Sequence, residues 1–193
     1  NVCKQLRPTC IGDIAAINAL YRPGPMDSIP RFIACKADPS LIRYKHPMLE
    51  PILSDTYGCI VYQEQVMMIF QQLAGADMVR RAISKKHADE IEAERNAFIH
   101  GDKSRGIKGC VANGIDEETA NAIYNEIYDF ANYAFNKAHA VSYAIVTYWT
   151  AYFKYHYPRE YMAALLTSVL DSSDKVAAYI GECKEMGIPF LPP

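Results

Sequence analysis

No stretch of this chain restricts its fold more than Asn136 to Tyr157, which contains neither glycine nor proline. Apolar residues fall on every side of a helical wheel there, so the segment is predicted to be one long, mostly buried helix. Its start carries the chemistry. Asn136 is a good N-cap, its side-chain oxygen able to accept from an early backbone N–H. The first turn then holds Lys137 and His139, positive groups at a helix end that already bears roughly +0.5 of a charge and several unpaired N–H groups. Cap, Lys and His together describe a place for an anion such as a phosphate. The plainer alternative is a solvated lysine.

At 193 residues, half of them hydrophobic, the chain is long enough for one sizeable core and short enough to be a single domain, residues 1–193. A net charge of −2 argues against a uniformly basic nucleic-acid coat and leaves room for a local basic patch. The six cysteines, Cys3, Cys10, Cys35, Cys59, Cys110 and Cys183, form no C-x-x-C pair and have no H-x-x-x-H partner. Neither a zinc site nor a disulfide framework is predicted, and reduced thiols in a cytoplasmic protein are the reading. The chain opens Asn-Val-Cys-Lys without a signal-peptide pattern and closes on Pro192-Pro193, which reads as a fragment of something larger. The longest uncharged run, near Ala140–Phe153, is shorter than the roughly 20 residues a membrane span needs, so no transmembrane segment is expected.

Along the chain, Ile11 to Leu20 reads as a short apolar helix stopped by Tyr21-Arg22-Pro23-Gly24-Pro25, where two prolines and a glycine force a rigid turn. Arg22 sits at that corner and is read as a surface residue bracing it. Met26 to Lys36 is a second predicted helix, and the proline-bearing stretch Asp38 to Asp55 a loop-rich connection with at most a helical turn. Gly58 to Tyr62 is the one convincing short strand. Gln63 to Leu73 carries Val66, Met67, Ile69, Phe70 and Leu73 at the spacing of a core-facing stripe, and Glu64 in its first turn suits the helix dipole. Asp89 to Ile99 reads as a polar helix with solvated glutamates, and Gly101 to Gly114 as a loop. Asp116-Glu117-Glu118 opens a helix that delivers Tyr124, Tyr128 and Tyr133 toward the Asn136 cap. Further helices follow Pro158 and Asp171-Ser172-Ser173-Asp174. The fold class is mainly α, a multi-helical domain of about eight helices with at most one short strand pair.

Between Ala76 and Lys86 lies a second unusual stretch, in which Arg80, Arg81, Lys85 and Lys86 stand against Asp77 alone, a net of +3. The following residues, 87–130, set four basic residues against ten acidic ones. On a helix Arg81 and Lys85 form a like-charge i, i+4 pair that something negative should relieve. A solvated basic face paired with those neighbouring acids is the alternative reading. No D-x-D pair occurs, so no metal site is predicted.

Six blocks, taken in order, resemble the fingers domain of the alpha subunit of bacterial DNA polymerase III, a C-family replicative polymerase. They are Ala19-Leu20-Tyr21-Arg22-Pro23-Gly24-Pro25-Met26; Tyr57 to Met67; Ala76-Asp77-Met78-Val79-Arg80-Arg81-Ala82-Ile83-Ser84-Lys85-Lys86; Phe135-Asn136-Lys137-Ala138-His139; His156-Tyr157-Pro158; and Gly187 to Pro193. The resemblance implies a nucleotide-binding module of a DNA-directed DNA polymerase, a nucleotidyltransferase. Arg80, Arg81 and Lys85 would meet the triphosphate of an incoming deoxynucleoside triphosphate. Asn136, Lys137 and His139 would line its pocket, with His139 near the sugar where bulk at the 2′ position is excluded. It also implies primer-template DNA, the palm and other domains of the same chain, and replisome subunits as partners. Catalytic aspartates and their magnesium ions would lie in the palm, outside this chain, so the fragment alone is expected to be inactive.

The chain departs from the family pattern in three places. The Gly75–Ala76 junction is shorter than usual, Asn132 and Ala134 stand where glycine is common, and Ala138 stands where serine is common, removing one possible hydrogen bond. Two other functions fit the residues without the resemblance: a helical DNA- or protein-binding module whose basic face meets phosphate backbones without nucleotide chemistry, and a structural spacer.

Overall fold

Gly58 to Tyr62, the segment with the best β composition, forms no strand. The computed structural model describes residues 2–75, 92–131, 133 and 135–189, and among these the only β pairings are isolated bridges, Tyr62 with Phe135 and Asp102 with Ile107. The reason is local. The Val61 and Tyr62 N–H groups that would extend a ladder donate instead to Oε1 of Gln65, at 2.8 and 3.0 Å. Gln65 is buried, and its amide donates to the Thr56 hydroxyl at 2.7 Å and the Ile52 carbonyl at 3.3 Å, so one side chain satisfies both sides of the bend.

The described residues form ten α-helices. In chain order they are α1 (Val2–Leu6), α2 (Ile11–Leu20), α3 (Ile29–Ala37), α4 (Glu50–Leu53), α5 (Gln63–Ile69), α6 (Arg95–His100), α7 (Glu117–Ala131), α8 (Lys137–His156), α9 (Pro158–Thr167) and α10 (Ser173–Glu185). Short 3-10 turns fill the connections. One of them, Pro25–Ser28, replaces the first turn of the helix predicted from Met26, because the proline-rich corner delays the α geometry. The last part of the helix predicted to Leu73 is a π turn, Phe70–Ala74, ended by Gly75 at φ +72°, a left-handed conformation natural to glycine. Asp116 caps α7, its carboxylate accepting from Thr119 N–H at 2.8 Å, as its sequence suggests.

The chain divides into two compact units, residues 1–144 and 145–193. The first holds two apolar clusters. One gathers α4, α5, α6 and α7 around Phe70, Phe98 and Tyr124, whose rings meet edge-on or tilted at 4.6 to 5.8 Å. Tyr124 therefore packs into this core rather than at the Asn136 cap. The other cluster joins α1, α2 and α3 to Cys59, Val61, Tyr62 and the first two turns of α8 through Ala140 and Ala144. In the second unit α9 packs on α10, burying Met162 and Cys183.

Two expectations about exposure are overturned. Within α8 only Ala140 and Ala144 are buried, while Tyr143, Val146, Tyr148, Trp149, Tyr152, Phe153 and Tyr155 are exposed. Small alanines let the start of the helix approach the core of the first unit closely along one line. The segment read as a polar helix places Phe98 at the centre of a core, and Glu94 is half-buried against Arg105 at 2.9 Å. No helix among the described residues is long and apolar enough to cross a membrane.

Candidate nucleotide-binding site

The start of α8 is built by residues from three distant parts of unit 1. Asn136 caps it as predicted, Oδ1 accepting from the His139 N–H at 2.9 Å. The side-chain amide of Asn136 donates to Glu64 Oε1 at 2.8 Å, and the Lys137 N–H donates to Glu64 Oε2 at 3.0 Å. The anion that a helix N-terminus favours is thus supplied from α5 by Glu64. This contact follows from the neighbouring backbone: the Gln63 N–H donates to the Phe135 carbonyl at 3.0 Å, which seats the first turn of α5 against the approach to α8.

With two of the first N–H groups committed, the free positive charge at this end belongs to side chains. The Lys137 ammonium lies 5.7 Å from the centre of the Tyr62 ring and 3.8 Å from Asp55, whose side chain is 82% exposed, so its pairing is loose and solvated. Burial, with Glu64 and Asp55 adding to it, pushes the Tyr62 hydroxyl above its usual range and keeps it neutral. His139 is exposed, its ring between those of Phe135 at 5.4 Å and Tyr143 at 4.6 Å.

The turn after α2 reaches the same place. Arg22 Nε donates to the Ala19 carbonyl at 3.0 Å, which is the bracing role its sequence suggests. Its Nη2, however, donates to the Tyr133 carbonyl at 2.6 Å across 111 residues, and the guanidinium lies 4.4 Å from the centre of the Phe135 ring. Burial lowers the Arg22 pKa from its ordinary value. Gly24, at φ +99°, lies under the Tyr133 ring so closely that a Cβ there would fall 2.3 Å from a ring carbon. A cleft of about 440 Å³ opens beside this turn, bordered by Gly24, Arg31, Lys45, Glu126, Asp129 and Tyr133. Three of its charges pair, Glu126 taking Lys45 at 2.5 Å and Arg31 at 3.5 Å.

Asn136, Lys137 and His139 thus share one helix start, while Arg80, Arg81 and Lys85 lie outside the described residues. Sequence reasoning missed Arg22 and Glu64 as parts of this site; a charged residue beside a turn and an acid in a first turn carry no local sign of a distant partner. Among the described residues no group of three or more His, Cys, Asp or Glu side chains is arranged to hold a metal ion.

Comparison with known proteins identifies the family to which the chain belongs. The family described as the bacterial DNA polymerase III alpha subunit finger domain matches residues 1–106. The DNA polymerase III subunit alpha of Bacillus subtilis is 46% identical over 198 residues, taking in the whole of this chain and 17% of the relative. Those of Halalkalibacterium halodurans and Chlamydia pneumoniae are 46% and 47% identical over 197 residues, again across the whole chain and 17% and 15% of the relatives. Each alignment is longer than the chain, so the relatives carry a few residues that it lacks. The chain spans about a sixth of their length, and it belongs to the family of bacterial DNA polymerase III alpha subunit finger domains.

Proposed function

We propose that this chain is the nucleotide-gripping part of a replicative DNA polymerase, which holds an incoming deoxynucleoside triphosphate and positions it against primer-template DNA. Lys137 contacts a phosphate, His139 stands beside the sugar, and Asn136 fixes both by capping the helix that carries them. Arg80, Arg81 and Lys85 are assigned to the triphosphate on the family resemblance. The observation that carries the reading is the exposed Lys137 ammonium and His139 ring at a helix start whose Lys137 and His139 N–H groups are already bonded to Glu64 and Asn136. The cation there, only loosely paired with the exposed Asp55, stands on a side chain able to meet a ligand, held on a rigid base.

Phosphoryl transfer rests on positioning and on neutralising charge, and these are the tasks of the residues here. Magnesium, bound by aspartates of a palm outside this chain, supplies the Lewis-acid chemistry. This piece alone is inactive and works with the palm and other domains of the same polypeptide, in the cytoplasm, with replisome subunits engaged through parts beyond it.

The test is steady-state incorporation and DNA binding by the full-length polymerase. Lys137→Ala and Arg80→Ala should each raise the nucleotide KM about tenfold or more, the scale of one lost charged contact, while changing the DNA Kd far less. A matched loss of DNA affinity with a steep salt dependence and no nucleotide effect would instead mark a phosphate-backbone-binding module. Unchanged incorporation by both variants would make the chain a spacer.

A further inference from the structure

We propose that Arg22 is a positioning residue for sugar discrimination, acting on His139 through Phe135. The inference rests on the reading above that His139 stands beside the sugar.

An arginine that only braced its own turn would need no more than the bond from Nε to the Ala19 carbonyl. Its other interactions both reach the segment leading into α8. Nη2 holds the Tyr133 carbonyl at 2.6 Å, and the guanidinium carbon lies over the Phe135 ring, 4.4 Å from its centre. Phe135 is therefore fixed at two points, its carbonyl by the Gln63 N–H and its ring by Arg22. The His139 imidazole rests against that ring on one side and against Tyr143 on the other, with centroid distances of 5.4 and 4.6 Å. A steric filter must hold its blocking group to within a fraction of an ångström, and an exposed histidine in a first helical turn has no such constraint of its own. The stack from Arg22 through Phe135 to His139 provides one. Lysine could not replace the arginine fully, because only a planar guanidinium can cover a ring and donate in its own plane at once.

The experiment measures kcat/KM for dATP and for ATP with the full-length polymerase, as wild type, Arg22→Ala, Arg22→Lys, His139→Ala and the double variant Arg22→Ala/His139→Ala, with DNA Kd alongside. His139→Ala is expected to lower the dATP preference roughly tenfold or more, the range that pocket shape supplies. Arg22→Ala should lower it in the same direction, Arg22→Lys by less, and the double variant no further than His139→Ala alone, as expected of two residues acting through one device. DNA affinity should be unchanged. If His139→Ala lowers the preference and both Arg22 variants leave it intact, Arg22 merely braces its turn and the inference falls while the reading of His139 stands. If His139→Ala leaves the preference intact, the reading of His139 falls and the inference with it. Full additivity in the double variant would likewise overturn it. Should Arg22→Ala fail to fold, Arg22→Lys carries the test, since it keeps the charge and one donor.

Discussion

Glu64 and Asn136, 72 residues apart, are joined by a hydrogen bond of 2.8 Å from the asparagine amide to the carboxylate, while the second carboxylate oxygen takes the Lys137 N–H. One acidic side chain at the start of α5 therefore holds the first turn of α8. Replacing Glu64 with Ala removes two charge-assisted bonds from a partly exposed site, a loss of about 1–2 kcal/mol in local stability. Amides of the first α8 turns should exchange roughly ten times faster by hydrogen-exchange mass spectrometry of the full-length polymerase, with α6 and α7 unaffected. Unchanged protection at α8 would show that Glu64 does not hold the turn.

Gly24 is the residue in the Arg22-Pro23-Gly24-Pro25 turn that cannot be exchanged. A Cβ there meets the Tyr133 ring at 2.3 Å, and φ +99° is strained for any L side chain. Gly24→Ala should cost on the order of 1–3 kcal/mol. It should also displace the Tyr133 ring, because that exposed side chain can yield where the backbone cannot. Faster exchange in the residues leading into α8 would register this, and Gly24→Ala with wild-type protection there would refute it.

Asp13, in the first turn of α2, is buried at 2% exposure and ties the connection before α2 to α3 and the Tyr57 turn. Its carboxylate accepts from Thr9 N–H at 2.8 Å and from the Tyr57 hydroxyl at 2.8 Å, and it pairs with Lys36 at 3.2 Å. Burial alone would raise its pKa, but these donors and the Lys36 charge outweigh it and hold the carboxyl below the ordinary value of 3.8. The folded form therefore binds this proton less readily than the unfolded chain. The stability so conferred is present above the unfolded pKa and is lost as pH falls below it through the lower folded one. Asp13→Asn should cost on the order of 2 kcal/mol at pH 7, since Lys36 keeps some access to water. The gap to wild type should narrow as pH falls below the ordinary carboxyl value of 3.8. Exchange protection in α2, compared between the two proteins at each pH, measures it, and a pH-independent gap would contradict the linkage.

Much of this was legible because it is local. The stop of α2 at its prolines, the apolar stripe of α5, the Asp116 cap of α7 and the Asn136 cap of α8 each depend on residues within a turn or two. The strand expected at Gly58 to Tyr62 failed because Gln65, a few residues on, takes the donors a ladder requires. β composition describes side chains suited to a pleated surface and is silent on whether a partner strand exists. The burial of α8 was overestimated for a related reason, since an all-round apolar helix needs neighbours on every side and periodicity does not say where they are.

The family, the mainly helical class and the capped, positively charged start of α8 were set by the order of residues alone, since caps, breakers and motifs act over short range. Only the folded chain decided that Glu64 would supply the anion at that helix start, and that Arg22 would reach from one turn to the carbonyl of Tyr133 and the ring of Phe135. Both contacts join residues 72 or more positions apart. Such pairings are won by packing two clusters around a common surface, a competition among all possible neighbours that no local pattern records.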